Sequence, residues 1–276
     1  MKQNLIYDIG LHKGEDTAFY LKLGYNVIAI EANPDLVQYC HQRFAEQIKT
    51  QQLVIIYGAL TDPLAGQEGV VTFYKNNTLS EWGTIDPLWV ERNRTSFNTT
   101  AEEISVPIIR LDDILRKYGC PYFMKIDIEG ADMFCLDYLK LIDDKPQFLS
   151  IESNKVNFSK LIEEFNTLSN LGYTKYAIAQ QATIGNSTYN VTLGDKTIQH
   201  TFEISASGLF GELLNMPWVE KEVAIAEYKW IFKFYKLFGD NSIFMKSGEF
   251  SYMYHLLQQQ LGEPLAGWYD THARLY

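Results

Sequence analysis

The sequence predicts an α/β protein: a mostly parallel sheet with helices on its faces, followed by a helical C-terminal cap. Two features of the first 180 or so residues point there. Short apolar runs alternate with longer amphipathic ones, which is the pattern of repeated βα units. A glycine-containing turn, Gly10 to Gly14, directly follows the first apolar run, as a strand-to-helix junction requires. A third observation marks the cap: the texture changes near Ile184, and aromatic residues become dense after about residue 200.

Taken in order, Asn4 to Ile9 reads as a first strand, with a helix from the glycine turn to Leu23. Asn26 to Ile30 is a second strand, and Asn33-Pro34 opens a helix to Lys49, since Asn caps and Pro suits the first helical position. Leu53 to Tyr57 and Val70 to Tyr74 follow, then a polar loop from Asn76 to Glu103. Val106 to Arg110 is a short strand, Asp112-Asp113 opens a helix to Lys117, and Tyr122 to Ile128 is a strongly apolar strand. Phe148 to Ile151, a helix over 157–170 and a strand over 173–179 complete the sheet. Two further helices are expected, Pro217 to Phe238 and Glu249 to Leu261. The division is therefore a parallel α/β domain over residues 1–182 and an extension over 183–276, expected to cap a substrate.

Composition narrows the function. The chain has 276 residues, is 46% hydrophobic and carries a net charge of -10. Nucleic-acid binding relies on clustered Lys and Arg, so no nucleic-acid partner is expected. Cys40, Cys120 and Cys135 have neither zinc-ligand spacing nor a disulfide pattern, which suits a reducing compartment. The opening MKQNLIYDIG goes straight into a strand, and no run of 18 apolar residues follows. A cytoplasmic protein with no membrane partner is the expectation.

The glycine turn begins with an acid, Asp8, and a second acid, Glu31, ends the next strand. Glu31 is placed to accept hydrogen bonds from both hydroxyls of an adenosine ribose. The spacing departs from the G-x-G-x-x-G fingerprint that aims a helix at a pyrophosphate. An acid ahead of the glycine suits a cationic ligand, such as the amino group and sulfonium of S-adenosylmethionine, better than a dinucleotide.

Five stretches stand in a telling order: Asp8-Ile9-Gly10 with Gly14, Glu31-Ala32-Asn33-Pro34, Gly58-Ala59-Leu60-Thr61-Asp62, Leu111-Asp112-Asp113-Ile114-Leu115, and Lys125-Ile126-Asp127-Ile128-Glu129-Gly130. Over roughly residues 4–180 the chain resembles the FkbM-type methyltransferases. The resemblance implies a class I methyltransferase with a mostly parallel, seven-stranded Rossmann-like sheet, using S-adenosyl-L-methionine. It also implies O-methylation of sugars, polyketides or other natural products. Asp8, Gly10 and Gly14 would line the methionine end, Glu31 the ribose, and Ala59-Leu60 the adenine edge. His12, Thr17, Ala32, Asn33 and Asp127 would complete that pocket. His12 departs from many members, which have a small residue there.

For the chemistry, Lys125, Asp127 and Glu129 are expected on one side of a buried strand, where such charges must be paired. Asp127, Glu152 and His12 are the catalytic candidates, His12 because imidazole suits proton removal near neutrality. Asp127, Glu152 and Asn154 offer hard oxygen ligands for Mg²⁺. Glu129, Asn154, Trp82 and Phe210 are expected to touch a small hydroxylated substrate. Trp82 belongs to a polar and aromatic loop with Asn76, Asn77, Ser80 and Glu81, and Phe210 to a loop over Ser205–Glu212. His272 is a second candidate base, and the aromatic helix ending at Phe238 allows a homodimer. Two readings remain beside methylation: a dinucleotide-dependent oxidoreductase and a non-catalytic adenosine-binding module.

Overall fold

A computed structural model describes residues 2–65, 69–154, 157–238, 256 and 267–276. The fold is the expected α/β class, with a mostly parallel main sheet of seven strands. The chain divides into two compact units: Met1–Ile151 with Thr192–Ile198, and Glu152–Val191 with Gln199–Tyr276.

In the first unit, β1 (Lys2–Ile9) leads to α1 (Glu15–Lys22), β2 (Asn26–Glu31), α2 (Pro34–Arg43), α3 (Ala45–Lys49) and β3 (Leu53–Tyr57). The last five residues of both β1 and β2 are buried. Continuous burial rather than alternation marks strands covered on both faces. Asn33 caps α2 by accepting the Asp35 amide at 3.1 Å, with Pro34 at the first helical position, as the sequence indicates.

Next come β4 (Ala59–Leu60), β5 (Val70–Asn76), a 3-10 turn at Ser80–Trp82, α4 (Pro87–Phe97) and β6 (Ala101–Ile109). The expected Asn76–Glu103 loop therefore holds a helix. Asp86 caps it through the Leu88 amide at 2.8 Å and Pro87 begins it, a start signal that the polar composition of the stretch obscures. β6 is also longer than expected, because it pairs antiparallel with β5 along Val70 to Asn76. After α5 (Leu111–Tyr118) come β7 (Pro121–Ile126), α6 (Asp132–Lys140) and β8 (Phe148–Glu152). Strands β3, β2, β1, β7 and β8 are mutually parallel in that order.

The second unit contains α7 (Phe158–Asn170), β9 (Lys175–Gln180), most of a hairpin of β10 (Thr188–Leu193) and β11 (Lys196–Thr201), α8 (Lys221–Phe238) and β12 (Tyr269–Arg274). The segment holding His272 is a strand antiparallel to β9, with His272 opposite Ala177. The expected helix Glu249–Leu261 lies almost wholly outside the described residues. Among those described, no helix is long and apolar enough to cross a membrane.

Candidate active site

The site of the first unit lies at the carboxyl ends of β1, β2 and β7, where open parallel sheets bind ligands. After β1 the chain turns at Gly10 (φ 91°), His12 (φ 50°) and Gly14 (φ 80°), all left-handed. A Cβ on Gly10 would lie 1.9 Å from the backbone oxygen of Asp127, and one on Gly14 would meet the Phe44 ring at 2.4 Å. Glycine at these two positions is a steric requirement of the turn.

Beneath the turn is a buried cluster of charge. Lys125 Nζ lies 3.1 Å from Asp127 Oδ2, 3.7 Å from Asp16 Oδ2 and 3.9 Å from Asp8 Oδ1. Thr17 Oγ1 donates to Asp8 Oδ2 at 2.6 Å, while Asp8 Oδ1 has no hydrogen-bond partner. Asp8 is 1% exposed, and burial raises its carboxyl to about 7 against the pull of Lys125. Three acids thus surround one ammonium, an excess of negative charge that a low-dielectric site tolerates poorly.

Glu31 sits at the end of β2 with both oxygens on backbone amides: Oε1 accepts from Asn33 at 2.7 Å and Oε2 from His12 at 2.8 Å. Burial raises its pKa, and the amides oppose the rise. Each oxygen keeps a second lone pair, so the carboxylate can still receive a ligand's hydroxyls. Ala59 and Leu60 are buried in β4, paired with Ile108 and Ile109. Gly58 donates to Glu31 O at 3.0 Å, which ties the start of β4 to the end of β2. Ala32, beside Glu31, packs on the Ala59–Phe73–Val106 cluster.

His12 lies in a line of three groups. Its Nδ1 is 2.9 Å from Glu15 Oε1 and its Nε2 is 2.7 Å from Ser80 Oγ. Burial would raise Glu15, but the hydrogen bond and charge of His12 overcome this and leave its pKa lowered. An ionised carboxylate only accepts, so Nδ1 carries a hydrogen, and in the neutral ring Nε2 presents its lone pair to the serine hydroxyl. Glu81 Oε2 lies 3.9 Å from the same nitrogen. Glu15 was not among the expected residues; its signal was the spacing His12-x-x-Glu15 across a helix start.

The Lys125–Gly130 stretch is only partly as expected. Lys125 and Asp127 do share a side, but β7 ends at Ile126, and Glu129 adopts a left-handed conformation (φ 49°). The alternation therefore stops before Glu129. Asp132 holds the turn by accepting the Ile128 amide at 2.9 Å and the Gly130 amide at 3.1 Å. Glu129 Oε2 accepts the indole N–H of Trp89 at 2.6 Å, and its backbone oxygen accepts Thr84 Oγ1 at 2.6 Å. Trp82 packs edge-on against Phe97, with ring centroids 4.9 Å apart.

The remaining residues lie in the second unit. Glu152 ends β8, and Asn154 Oδ1 accepts the Asn157 amide at 2.6 Å. Phe210 is 1% exposed and part of the interior. His272 is 2% exposed, and burial lowers its imidazole to about 4, which keeps the ring neutral.

The structure is similar to precorrin-6y C5,15-methyltransferase from Geobacter metallireducens GS-15, at 12% identity and a TM-score of 0.32, covering 73% of this chain and 76% of that one. It is similar to the C-terminal domain of precorrin-6Y C5,15-methyltransferase from Rhodobacter capsulatus (12% identity, TM-score 0.35, 74% and 77% covered). A third is precorrin 8W decarboxylase from Methanobacterium thermoautotrophicum (13% identity, TM-score 0.35, 72% and 77% covered). These likenesses are too distant to carry chemistry across. No curated protein matches the chain. The model of the FkbM methyltransferase domain matches residues 8–175, a span that includes the glycine turn, Glu31 and the Lys125–Gly130 stretch. The chain belongs to the FkbM family of methyltransferases.

Proposed function

We propose that this chain transfers a methyl group from S-adenosylmethionine to a hydroxyl oxygen of a small hydroxylated molecule such as a sugar or natural product, with His12 as the base. The observation that carries this is the line Glu15–His12–Ser80, in which a carboxylate holds one nitrogen of the imidazole at 2.9 Å and the other nitrogen meets a hydroxyl at 2.7 Å. The family implies the cofactor, and the residues fit it. The partnerless oxygen of buried Asp8, in a cluster with surplus negative charge, suits a cationic ligand, and the Glu31 carboxylate suits a ribose.

When bound, the cofactor would supply an electrophilic methyl group for transfer to an acceptor oxygen, with its sulfur leaving as a neutral thioether. Asp8, oriented by Thr17, would hold the positive end, and Glu31, held by the Asn33 amide, would hold the ribose. Ala32, Ala59 and Leu60 form the apolar wall for the base. His12 Nε2 takes the acceptor's proton, and Glu15 stabilises the imidazolium that forms. Most of the rate comes from holding acceptor and methyl carbon in register. Asp127, Glu129 and Trp82 are the further candidates for the acceptor side in the first unit; Phe210, buried in the interior of the second, is not one of them.

The test is transfer of isotopically labelled methyl to panels of sugars and polyketides, with and without chelator. His12→Ala should lower kcat by about 100-fold or more while leaving cofactor affinity nearly unchanged. Glu31→Ala should do the reverse, weakening calorimetric binding of the cofactor and of S-adenosylhomocysteine alike. Full turnover in His12→Ala would remove His12 as the base. Binding of NADH in place of either ligand would return the dinucleotide reading.

A further inference from the structure

Arg92, on α4, differs from its neighbours. Arg94 pairs with Glu91, and Arg110 and Arg116 pair with Asp112. Among the described residues the Arg92 guanidinium makes no ion pair or hydrogen bond. It is stacked instead, with Cζ 4.4 Å from the centroid of the Trp89 ring and 5.9 Å from that of Phe97. Stacking covers the face of a guanidinium and leaves the N–H edge, a rigid fork of donors, directed outward.

This cation is joined to the site at both ends. Trp89 is held by its indole N–H on Glu129, two residues beyond Asp127. Phe97 contacts Trp82, which ends the 3-10 turn begun by Ser80, and Ser80 faces the His12 imidazole. An aromatic arch therefore runs from the base to a stacked arginine whose donors are uncommitted.

We propose that this arch is a subsite for an oxyanion on the methyl acceptor, a phosphate, sulfate or carboxylate group gripped by the N–H edge of Arg92. The acceptor is then an acidic hydroxylated molecule, not a neutral one. This rests on the reading of His12 and Trp82 as the acceptor side. Trp89 and Phe97 fix the guanidinium plane, so that the fork meets two oxygens at once.

The probes are inorganic phosphate, inorganic sulfate and glucuronate, titrated into the ¹⁵N-labelled full chain at constant ionic strength set with chloride. The Nε–H signal of Arg92 and the indole N–H signal of Trp89 are followed by NMR, assigned through Arg92→Lys and Trp89→Phe. Saturable shifts of both signals are expected with at least one oxyanion and not with chloride. Affinity should fall about tenfold in Arg92→Lys, which keeps the charge but loses the fork, and vanish in Arg92→Met. Shifts confined to phosphate and sulfate identify a phosphorylated or sulfated acceptor; shifts with glucuronate identify a uronic acid. No saturable shift with any probe, or equal binding by Arg92→Met, overturns the subsite. The wider function is read separately: oxyanion binding without methyl transfer to any hydroxylated acceptor keeps the subsite and sinks O-methylation. Transfer to neutral sugars with unchanged kcat/KM in Arg92→Met does the opposite.

Discussion

Each unit of this protein buries a polar cluster, and the two are built differently. In the first unit, Lys125 faces Asp8, Asp16 and Asp127 at 3.1–3.9 Å, with one Asp8 oxygen lacking any hydrogen bond. In the second, Ser153 Oγ donates to Glu164 at 2.7 Å and lies 2.5 Å from Thr271 Oγ1, which is 2.8 Å from the hydroxyl of Tyr228. The second cluster is a closed chain of short hydrogen bonds joining β12, α7, α8 and the segment after β8. The first has excess charge and loose contacts. Fully satisfied buried networks rigidify a fold, whereas a carboxylate kept buried without its full set of partners costs stability, which makes it a candidate for ligand binding.

The largest contrast should come from the backbone beside each cluster. Gly10→Ala places a methyl 1.9 Å from the Asp127 carbonyl, on a residue at φ 91°. The obstacle is main chain and cannot step aside, so a loss of about 4 kcal/mol or more is expected, or failure to fold. Gly208→Ala in the second unit has a similar φ of 94°, but the nearest atoms to its methyl are Ile184 side-chain carbons at 3.1–3.3 Å, which can shift. Here about 1–2 kcal/mol is expected, the cost of the left-handed conformation. Thermal denaturation of the two variants measures the difference, and equal losses would show that the Gly10 turn yields more easily than its geometry indicates.

The next contrast is a pH dependence. Asp8 has a folded-state pKa of about 7 against an ordinary 3.8, raised by burial. A raised carboxyl binds its proton more tightly when folded, so the native state holds more protons than the unfolded chain between those values. Its contribution to stability is therefore present below about pH 4 and is lost as pH rises toward 7, by a few kcal/mol. Asp8→Asn should flatten this slope, leave the protein as stable as wild type or more so at pH 8, and still abolish cofactor binding. Denaturant midpoints measured from pH 4 to 8 check it; an unchanged slope in the variant assigns the dependence to other groups.

How far the sequence revealed this follows from what kind of signal each feature leaves. The parallel strands were legible because both faces are buried, which makes apolar runs such as Leu53–Tyr57 unmistakable. The glycine turn was legible because left-handed backbone and close approach demand Gly10 and Gly14. Helix α4 was not, since its one sharp signal, Asp86-Pro87, lies in a polar stretch without a clean apolar stripe. Nor was β12: Tyr269–Arg274 pairs with β9 across 88 or more residues of sequence, and a long-range pairing leaves no local mark. The placement of Asp8 and Glu31 at the ends of β1 and β2 was readable from the apolar runs before them. The partnership of His12 with Ser80, 68 residues away, and the stacking of Arg92 on Trp89 depend on how α4 and the 3-10 turn pack.

The smallest expected effect tests the closed cluster. Tyr228 is fully buried on α8, and its hydroxyl meets Thr271 at 2.8 Å. Tyr228→Phe removes the neutral hydrogen bonds of that hydroxyl with Thr271 and Ser153 and keeps the ring against Phe165, whose centroid lies 5.8 Å away. Thr271 retains Ser153 as a partner, so no buried hydroxyl is abandoned. A net loss of about 1 kcal/mol follows, with calorimetric affinity for the cofactor unchanged. The comparison breaks if the balance is reversed: should Tyr228→Phe leave stability intact but weaken cofactor binding, the closed network would be part of the ligand machinery, and closure alone would no longer separate a structural cluster from a functional one.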